Sequence, residues 1–507
     1  MTSDKTRQRF ALTRRQAMTG LGAMLLAQPG CANAPASSQR PPVRPGPDGL
    51  RPLALAQPAD DLVRAARLSG EMSFAVLDSA TGALLEGRNP DLALPPASVT
   101  KALTSAYALD ALGAGHRFRT RVFATGGITG GVVAGDLVLA GGGDPVLDTD
   151  ALADLAAAVR RTGITSVQGR FVVYDGALPR IAQIDDEQVV QAGYNPAISG
   201  LNLNFNRVHF QWTRRGGDYD LVMDARSQRY QPRVSFATME LSGQGYPVYT
   251  FRNGEGRDRW TVARAALGSN GARWLPVRQP ALYAGDVFRT LAQSNGITLG
   301  APVVSATAPQ GTLVAEHASR PLPELLRDML EFSTNITAEA IGLSASRARG
   351  ARPGSLAASA QLQAEWLRQT YGLSTLRLAD HSGLGAASRI SAADLAGFFS
   401  QTQRAGVLTP LLRTLPMRDA NNAVVGNHRL EVAAKTGTLN FVSALGGSFD
   451  VPDRPRNLSF GFVAADLPRR AAIPESQREA PPGTRDFSRN ARRLQQQLLE
   501  RWAVAYG

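Results

Sequence analysis

Pro95-Pro96-Ala97-Ser98-Val99-Thr100-Lys101 runs directly into Ala102-Leu103-Thr104-Ser105-Ala106-Tyr107-Ala108-Leu109, and no glycine follows until Gly113. That apolar, glycine-free run predicts a helix with Ser98 near its first turn. Residues three apart lie on one helix face, a turn from each other, so on such a helix the Ser98 hydroxyl lies near the Lys101 amine. A serine hydroxyl is a poor nucleophile until a neighbour takes its proton, and a neutral amine can take it. Burial, a second cation and the positive end of the helix dipole all push a lysine towards that form.

Ser-x-x-Lys is short, and an isolated match more often marks a capping serine and a solvated lysine. Lysine usage separates the two readings. Of the 55 lysine and arginine residues in the chain, only Lys5, Lys101 and Lys435 are lysine. Arginine stays protonated in a protein, whereas lysine titrates when its surroundings ask it to. A chain that uses arginine for nearly every cation, yet keeps lysine at two internal positions, is expected to use those amines chemically.

Lys435 sits in Ala433-Ala434-Lys435-Thr436-Gly437-Thr438-Leu439, between two apolar stretches. Between the two lysines lies Glu331-Phe332-Ser333-Thr334-Asn335-Ile336-Thr337-Ala338-Glu339, a Ser-x-Asn where a helix is predicted to begin. Ser-x-x-Lys, Ser-x-Asn and Lys-Thr-Gly, in that order, resemble the motif set of penicillin-binding proteins and serine β-lactamases.

The N-terminal region predicts export. Lys5, Arg7, Arg9, Arg14 and Arg15 precede an uncharged stretch from Gln16 to Gly30. That is a basic segment followed by an apolar one too short for a permanent membrane anchor. Thr13-Arg14-Arg15-Gln16-Ala17-Met18 resembles a twin-arginine signal, with an ordinary secretory leader as the other reading. Residues 1–34 are therefore expected to be an export signal, and the protein to work in the periplasm or cell envelope. The single cysteine, Cys31, closes this region and excludes a disulfide framework. It is a candidate site for lipid anchoring to the membrane, while Ala32-Asn33-Ala34 offers a peptidase site instead. Residues 35–58, rich in Pro, Gln, Ser and Ala, read as a tether.

A net charge of +13 suits anionic envelope polymers as partners. It does not signal nucleic acid, because the arginines are scattered with no basic run beside aromatics. The histidines at 116, 209, 317, 381 and 428 are dispersed, so no metal centre and no cofactor are implied.

Glu71–Asp78 and Ala83–Leu85 predict a hairpin ahead of the Ser98 helix. After Gly113 the pattern becomes short, glycine-rich and β-like, with one helical segment at 150–161. Helical periodicity returns at 283–294, 321–346 and 356–371. The expectation is a catalytic α/β domain made of residues 59–116 and 279–507, interrupted by inserted β-rich domains at 117–278. The chain closes with a strand at 457–464, a polar loop at 466–485, and a helix carrying Phe487, Ala491, Leu494, Leu498 and Trp502 on one face. Such a helix either packs on the domain's sheet or lies on a membrane; packing is the favoured reading.

Together these residues resemble the class C low-molecular-mass penicillin-binding proteins, the D-alanyl-D-alanine carboxypeptidase/endopeptidase family. Gly142-Gly143-Asp144-Pro145, Tyr194-Asn195-Pro196, Leu201-Asn202-Leu203-Asn204 and Asp380-His381-Ser382-Gly383-Leu384 add to the three motifs. His381 departs from the family's usual glycine at that position. The resemblance implies a penicillin-recognising serine transpeptidase/β-lactamase-like domain, an antiparallel sheet flanked by helices, with two inserted β-rich domains. It implies peptidoglycan stem peptides as substrates and β-lactam antibiotics as inhibitors. Ser98 would be the nucleophile and Lys101 the general base. Ser333 and Asn335 would relay the proton to the leaving amine and hold the substrate amide. Lys435 would supply positive potential, with Thr436 and Thr438 binding the terminal carboxylate. The backbone N–H groups of Ser98 and Thr438 would form the oxyanion hole, Gly437 letting substrate approach the strand edge. In the inserted region, Asp186 within the run Asp185-Asp186-Glu187 is the candidate for pairing with a free amine at the far end of the peptide.

A serine β-lactamase shares the acylation chemistry. The class A type needs a glutamate for deacylation, and past Asn335 there is Glu365-Trp366-Leu367-Arg368 but no Glu-x-x-x-Asn. A non-catalytic wall-binding protein on the same scaffold is the other rival, against which all the motif residues are intact.

Overall fold

A computed structural model describes residues 58–254, 256–419, 423–451 and 456–506. The expected export signal, Cys31 and nearly all of the tether lie outside the described residues.

Six strands form an antiparallel sheet in the order Arg413–Thr414, Val432–Leu439, Val442–Asp450, Asn457–Ala465, Glu71–Asp78 and Leu84–Arg88. The predicted hairpin therefore joins the C-terminal strands, with Phe74 opposite Phe462. Successive residues of a strand face opposite sides. Leu458, Phe460 and Phe462 accordingly enter the core under the C-terminal helix, whereas Val463 and Ala465 enter the core on the other face.

The helix Thr484–Ala505 buries Phe487, Ala491, Leu494, Leu498 and Trp502 against the sheet, together with the short helix Ala59–Ala66. The packed reading holds: its apolar face is occupied. Among the described residues no helix is long and apolar enough to cross a membrane. The opposite face of the sheet carries Ala392–Arg404 and, beyond it, the helices Thr100–Leu112, Leu322–Phe332, Asn335–Ala348 and Leu356–Tyr371. The expected helical stretch at 321–346 is thus two helices, broken at Ser333 and Thr334.

The inserted region contains a mixed five-stranded sheet, ordered Pro302–Ser305, Phe171–Tyr174, Leu137–Ala140, Arg119–Ala124 and Thr312–Ala318. Three three-stranded sheets complete it, one built on Arg207–Arg215, one on Arg257–Ala263 and a small one on Val132–Val133. They share one continuous core in which Phe171, Phe210, Trp260 and Phe288 meet.

The expected boundary at 278/279 falls too early. The helix Pro280–Ser294 places Tyr283, Val287 and Phe288 in the inserted core. Pro302–Ser305 then pairs with Phe171–Tyr174, and Thr312–Ala318 pairs with Arg119–Ala124. The helices packed on the six-stranded sheet's side resume only at Leu322–Phe332. Returning helical periodicity is a poor boundary marker here because parallel strands need helical crossovers. Leu137–Ala140 and Phe171–Tyr174 are such a parallel pair, with the helix Thr149–Arg161 between them.

Candidate active site

Pro96 leads into a single 3-10 turn, Ala97–Val99, which continues as the helix Thr100–Leu112. The turn is entered sharply, with Ala97 at φ 47°, a region costly for a residue with a side chain. Two neighbours hold it there by approaching its backbone. A Cβ on Gly437 would lie 2.5 Å from the Pro96 carbonyl oxygen, and one on Gly383 would lie 1.9 Å from that of Ala97. The Ser98 turn is therefore clasped between the strand Val432–Leu439 and the turn Asp380–Gly385.

One helical turn on, Lys101 is fully buried. Its Nζ lies 2.9 Å from Ser98 Oγ, 2.8 Å from Asn335 Oδ1 and 2.8 Å from the Ser382 carbonyl oxygen. Burial pushes the amine down to about 8, against the opposing charges of Glu339 and Asp380. The free-base form is then accessible near neutrality, as a proton acceptor for a serine hydroxyl requires.

Ser333 terminates the helix Leu322–Phe332 in the left-handed region, at φ 56° and ψ 39°, and Asn335 opens the next helix. That break brings Ser333 to Lys435 and Asn335 to Lys101. Ser333 Oγ accepts from Lys435 Nζ at 3.1 Å, and the lysine also donates to the Thr436 carbonyl at 2.9 Å. Asn335 Nδ2 donates to the Tyr194 carbonyl at 3.0 Å, which ties the inserted region to the site.

Lys435, Thr436, Gly437 and Thr438 follow one another on Val432–Leu439. One edge of that strand is paired with Val442–Asp450, while Arg413–Thr414 covers only Ala433 and Ala434 on the other. From Lys435 onward the outer edge is left open beside the Ser98 turn. Thr438 is exposed there and Gly437 is buried.

The structure thus gives two hydrogen-bonded sets, Ser98–Lys101–Asn335 and Ser333–Lys435, bridged along the chain by the Ser333–Asn335 break, with Thr436, Gly437 and Thr438 on the open-edged strand that carries Lys435. Asp186 stands apart. Its carboxylate accepts from Gln183 Nε2 at 2.6 Å, and it lines a separate cavity of about 610 Å³. Asp380, Gly385 and Ala387 form part of the other wall of that cavity.

Sequence reasoning missed the carboxylates behind the lysine. Glu339 is fully buried and accepts from the backbone N–H groups of His381 and Ser382, at 3.0 and 2.8 Å. Asp380 accepts from Gly383 at 2.5 Å and from Gly385 at 2.7 Å. Burial raises both carboxyls, Glu339 to about 8, and each adds to the other's shift or to the field at Lys101. A signal was present: Glu339 follows Asn335 by four, so both lie on one face of a helix.

A Ser-x-x-Lys helix, a Ser-x-Asn break and a Lys-Thr-Gly edge strand, on an antiparallel sheet flanked by helices, define the penicillin-recognising serine hydrolase class. The chain belongs to the D-Ala-D-Ala carboxypeptidase 3 (S13) family, whose model matches residues 55–478. It is 29% identical over 448 residues to a D-alanyl-D-alanine carboxypeptidase of an Actinomadura species, covering 82% of this chain and 81% of the relative. It is 24% identical over 401 residues to a Haemophilus influenzae D-alanyl-D-alanine carboxypeptidase, covering 73% and 81%. The crystal structure of penicillin-binding protein 4 from Haemophilus influenzae shares the fold, with a TM-score of 0.68 at 19% identity, over 87% of this chain and 99% of that one.

Proposed function

We propose that this serine-type D-Ala-D-Ala carboxypeptidase cleaves peptidoglycan stem peptides, and their cross-links, through an acyl-serine at Ser98. The observation that carries the residue assignment is the Lys101 amine, sealed from water with Ser98 Oγ 2.9 Å away. Lys101 takes the hydroxyl proton as Ser98 Oγ bonds to the carbonyl carbon of the penultimate D-alanine. The backbone N–H groups of Ser98 and Thr438 receive the developing oxyanion. Ser333, with Lys435 beside it, relays the proton from Lys101 to the leaving amine, and terminal D-alanine or the amine-bearing acceptor strand of a cross-link departs, while the donor strand stays on Ser98 as the acyl group. Asn335 holds the substrate amide. Thr436 and Thr438 bind the terminal carboxylate in the positive potential of Lys435. Water then hydrolyses the ester and returns Ser98.

β-Lactams would acylate the same hydroxyl; a β-lactam complex is among the solved structures of the Haemophilus influenzae protein. Asp186, on the cavity beyond the Asp380–Gly385 turn, would pair with a free side-chain amine on the stem peptide. The substrate places the working protein in the cell envelope, in keeping with the expected export signal.

Covalent labelling by a fluorescent penicillin, mapped by peptide mass, tests the nucleophile. Label is expected on Ser98 and absent from Ser98→Ala. Persistent labelling of that variant would refute the assignment. Cross-linked muropeptides with products identified by mass test the cross-link cleavage.

A further inference from the structure

Behind Lys101, three helices meet around one buried imidazole. His381 is fully buried, and burial pushes its ring down to about 3, so it stays neutral. Its Nε2 is 2.8 Å from Ser359 Oγ and its Nδ1 is 2.5 Å from Gln363 Oε1. Ser359 Oγ lies 2.8 Å from Ser346 Oγ, which lies 3.1 Å from the Tyr107 hydroxyl. On the other side, Gln363 Nε2 lies 3.1 Å from Thr104 Oγ1, and Thr104 Oγ1 lies 2.7 Å from the His381 carbonyl oxygen.

These bonds are mutually consistent when they run one way. Tyr107 gives to Ser346, Ser346 to Ser359, and Ser359 to the lone pair on His381 Nε2. His381 Nδ1–H gives to Gln363, the Gln363 amide to Thr104, and Thr104 to the His381 carbonyl. The part from His381 through Gln363 and Thr104 closes on His381 itself. The ring occupies space that position 342 leaves vacant: a Cβ there would lie 2.2 Å from His381 Cγ.

The next carbonyl along, that of Ser382, is the one that accepts from Lys101. A neutral amine has two N–H bonds and one lone pair. With Asn335 Oδ1 and the Ser382 carbonyl taking the two N–H bonds, the lone pair has one direction left, towards Ser98 Oγ. We propose that His381 is a positioning residue for Lys101: its hydrogen-bond circuit fixes the Asp380–Gly385 turn so that the Ser382 carbonyl aims the lysine lone pair at Ser98. The idea rests on the reading of Lys101 as the base that accepts the Ser98 proton, and deepens it.

The test separates the acylation rate constant k2 from the pre-covalent dissociation constant K, using a chromogenic β-lactam and the mature protein. Thr104→Val keeps the shape and removes the hydroxyl that closes the circuit; Thr104→Ser restores the hydroxyl. Gly342→Ala drives a methyl into the ring. Thr104→Val and Gly342→Ala are expected to lower k2 by roughly 10- to 100-fold, the scale of a misaimed catalytic group, and to leave K unchanged. Thr104→Ser should recover the rate. If Thr104→Val and Thr104→Ser acylate equally fast, or if the loss falls on K, the positioning role is overturned. A drop in melting temperature without a split between k2 and K overturns it too. Should either variant not fold, Ser359→Ala, which cuts the circuit on its far side, decides by the same criterion. Lys101→Arg is the separate control: full acylation by that variant would defeat the base assignment itself, whatever Thr104 does.

Discussion

Lys101 and Glu339, behind Ser98, are fully buried, whereas Glu187, at the rim of the cavity beyond the Asp380–Gly385 turn, keeps 66% of its side chain exposed. At the back, each polar group has partners at fixed short range. Asn335, Ser382, Glu339 and Asp380 form the wall against Lys101. At the rim, the loop after Asn457–Ala465 reaches across to the inserted region through charged side chains. Arg470 lies 3.9 Å from Glu187, Arg478 donates to the Glu187 carbonyl at 3.1 Å, and Glu479 takes Arg273 at 2.7 Å. Water screens the rim and not the back. The same pairing of opposite charges should therefore matter greatly in one place and little in the other.

Replacing one cation by another breaks the comparison at its strongest point. Lys101→Arg keeps the charge and forbids proton abstraction. Acylation by a fluorescent penicillin is expected to fall by roughly 10²-fold or more, the scale of general-base catalysis. Lys435→Arg should be milder and act on substrate binding, which steady-state kinetics on a D-Ala-D-Ala peptide will separate. Both amines are buried, so equal, small effects at the two positions would contradict the division of labour between base and carboxylate-binding cation.

The pH profile sharpens the same contrast. Because Lys101 is pushed down to about 8, its base form grows as pH rises through that value. Wild-type acylation should climb across about pH 8 and level off above it. The limb belongs to the coupled set of Lys101, Glu339 and Asp380 rather than to one residue. With so few lysines in the chain, an NMR titration of lysine labelled at Cε would display the amine directly, with Lys435→Arg assigning the signals.

Glu339→Gln comes next. The carboxylate accepts from two backbone N–H groups, and an amide offers one oxygen for the pair. One buried N–H then faces an NH₂ group, at a cost of about 1–3 kcal/mol. Denaturant melts should show it.

The smallest effect is expected at the rim. Glu187→Gln should change stability by no more than ~0.2–1 kcal/mol, vanishing at high salt. Neutralising Asp185, Asp186 and Glu187 together should slow only those pentapeptides whose side-chain amine is free. Equal slowing of acetylated and free peptides would remove Asp186 from recognition.

What the sequence made legible follows from range. Ser98 and Lys101 are three apart on one helix, and the scarcity of lysine marked Lys435, so the cluster could be assembled on paper. The inserted sheet could not. Pro302–Ser305 and Thr312–Ala318 belong to it through pairing with strands far back in the chain, and nothing in their own composition says so. Glu339 was legible only by its spacing from Asn335. The direction of the Ser382 carbonyl is a property of a turn, set by groups from other helices, and leaves no local mark.

The pairing of Glu71–Asp78 with Asn457–Ala465 also dictates a timetable. Ser79 and Ser459 share a hydrogen bond across 380 positions. At about 5–20 residues per second, ribosomes need roughly 20–80 s to cover that distance. For all that time the first hairpin has no partner on its inner edge, while the inserted strands can already find one another. Ser98 is made early and the strand that clasps its turn is made late. A nascent or prematurely ended chain therefore carries Ser98 and Lys101 without a site, and the last strands of the sheet act as the step that switches the chemistry on.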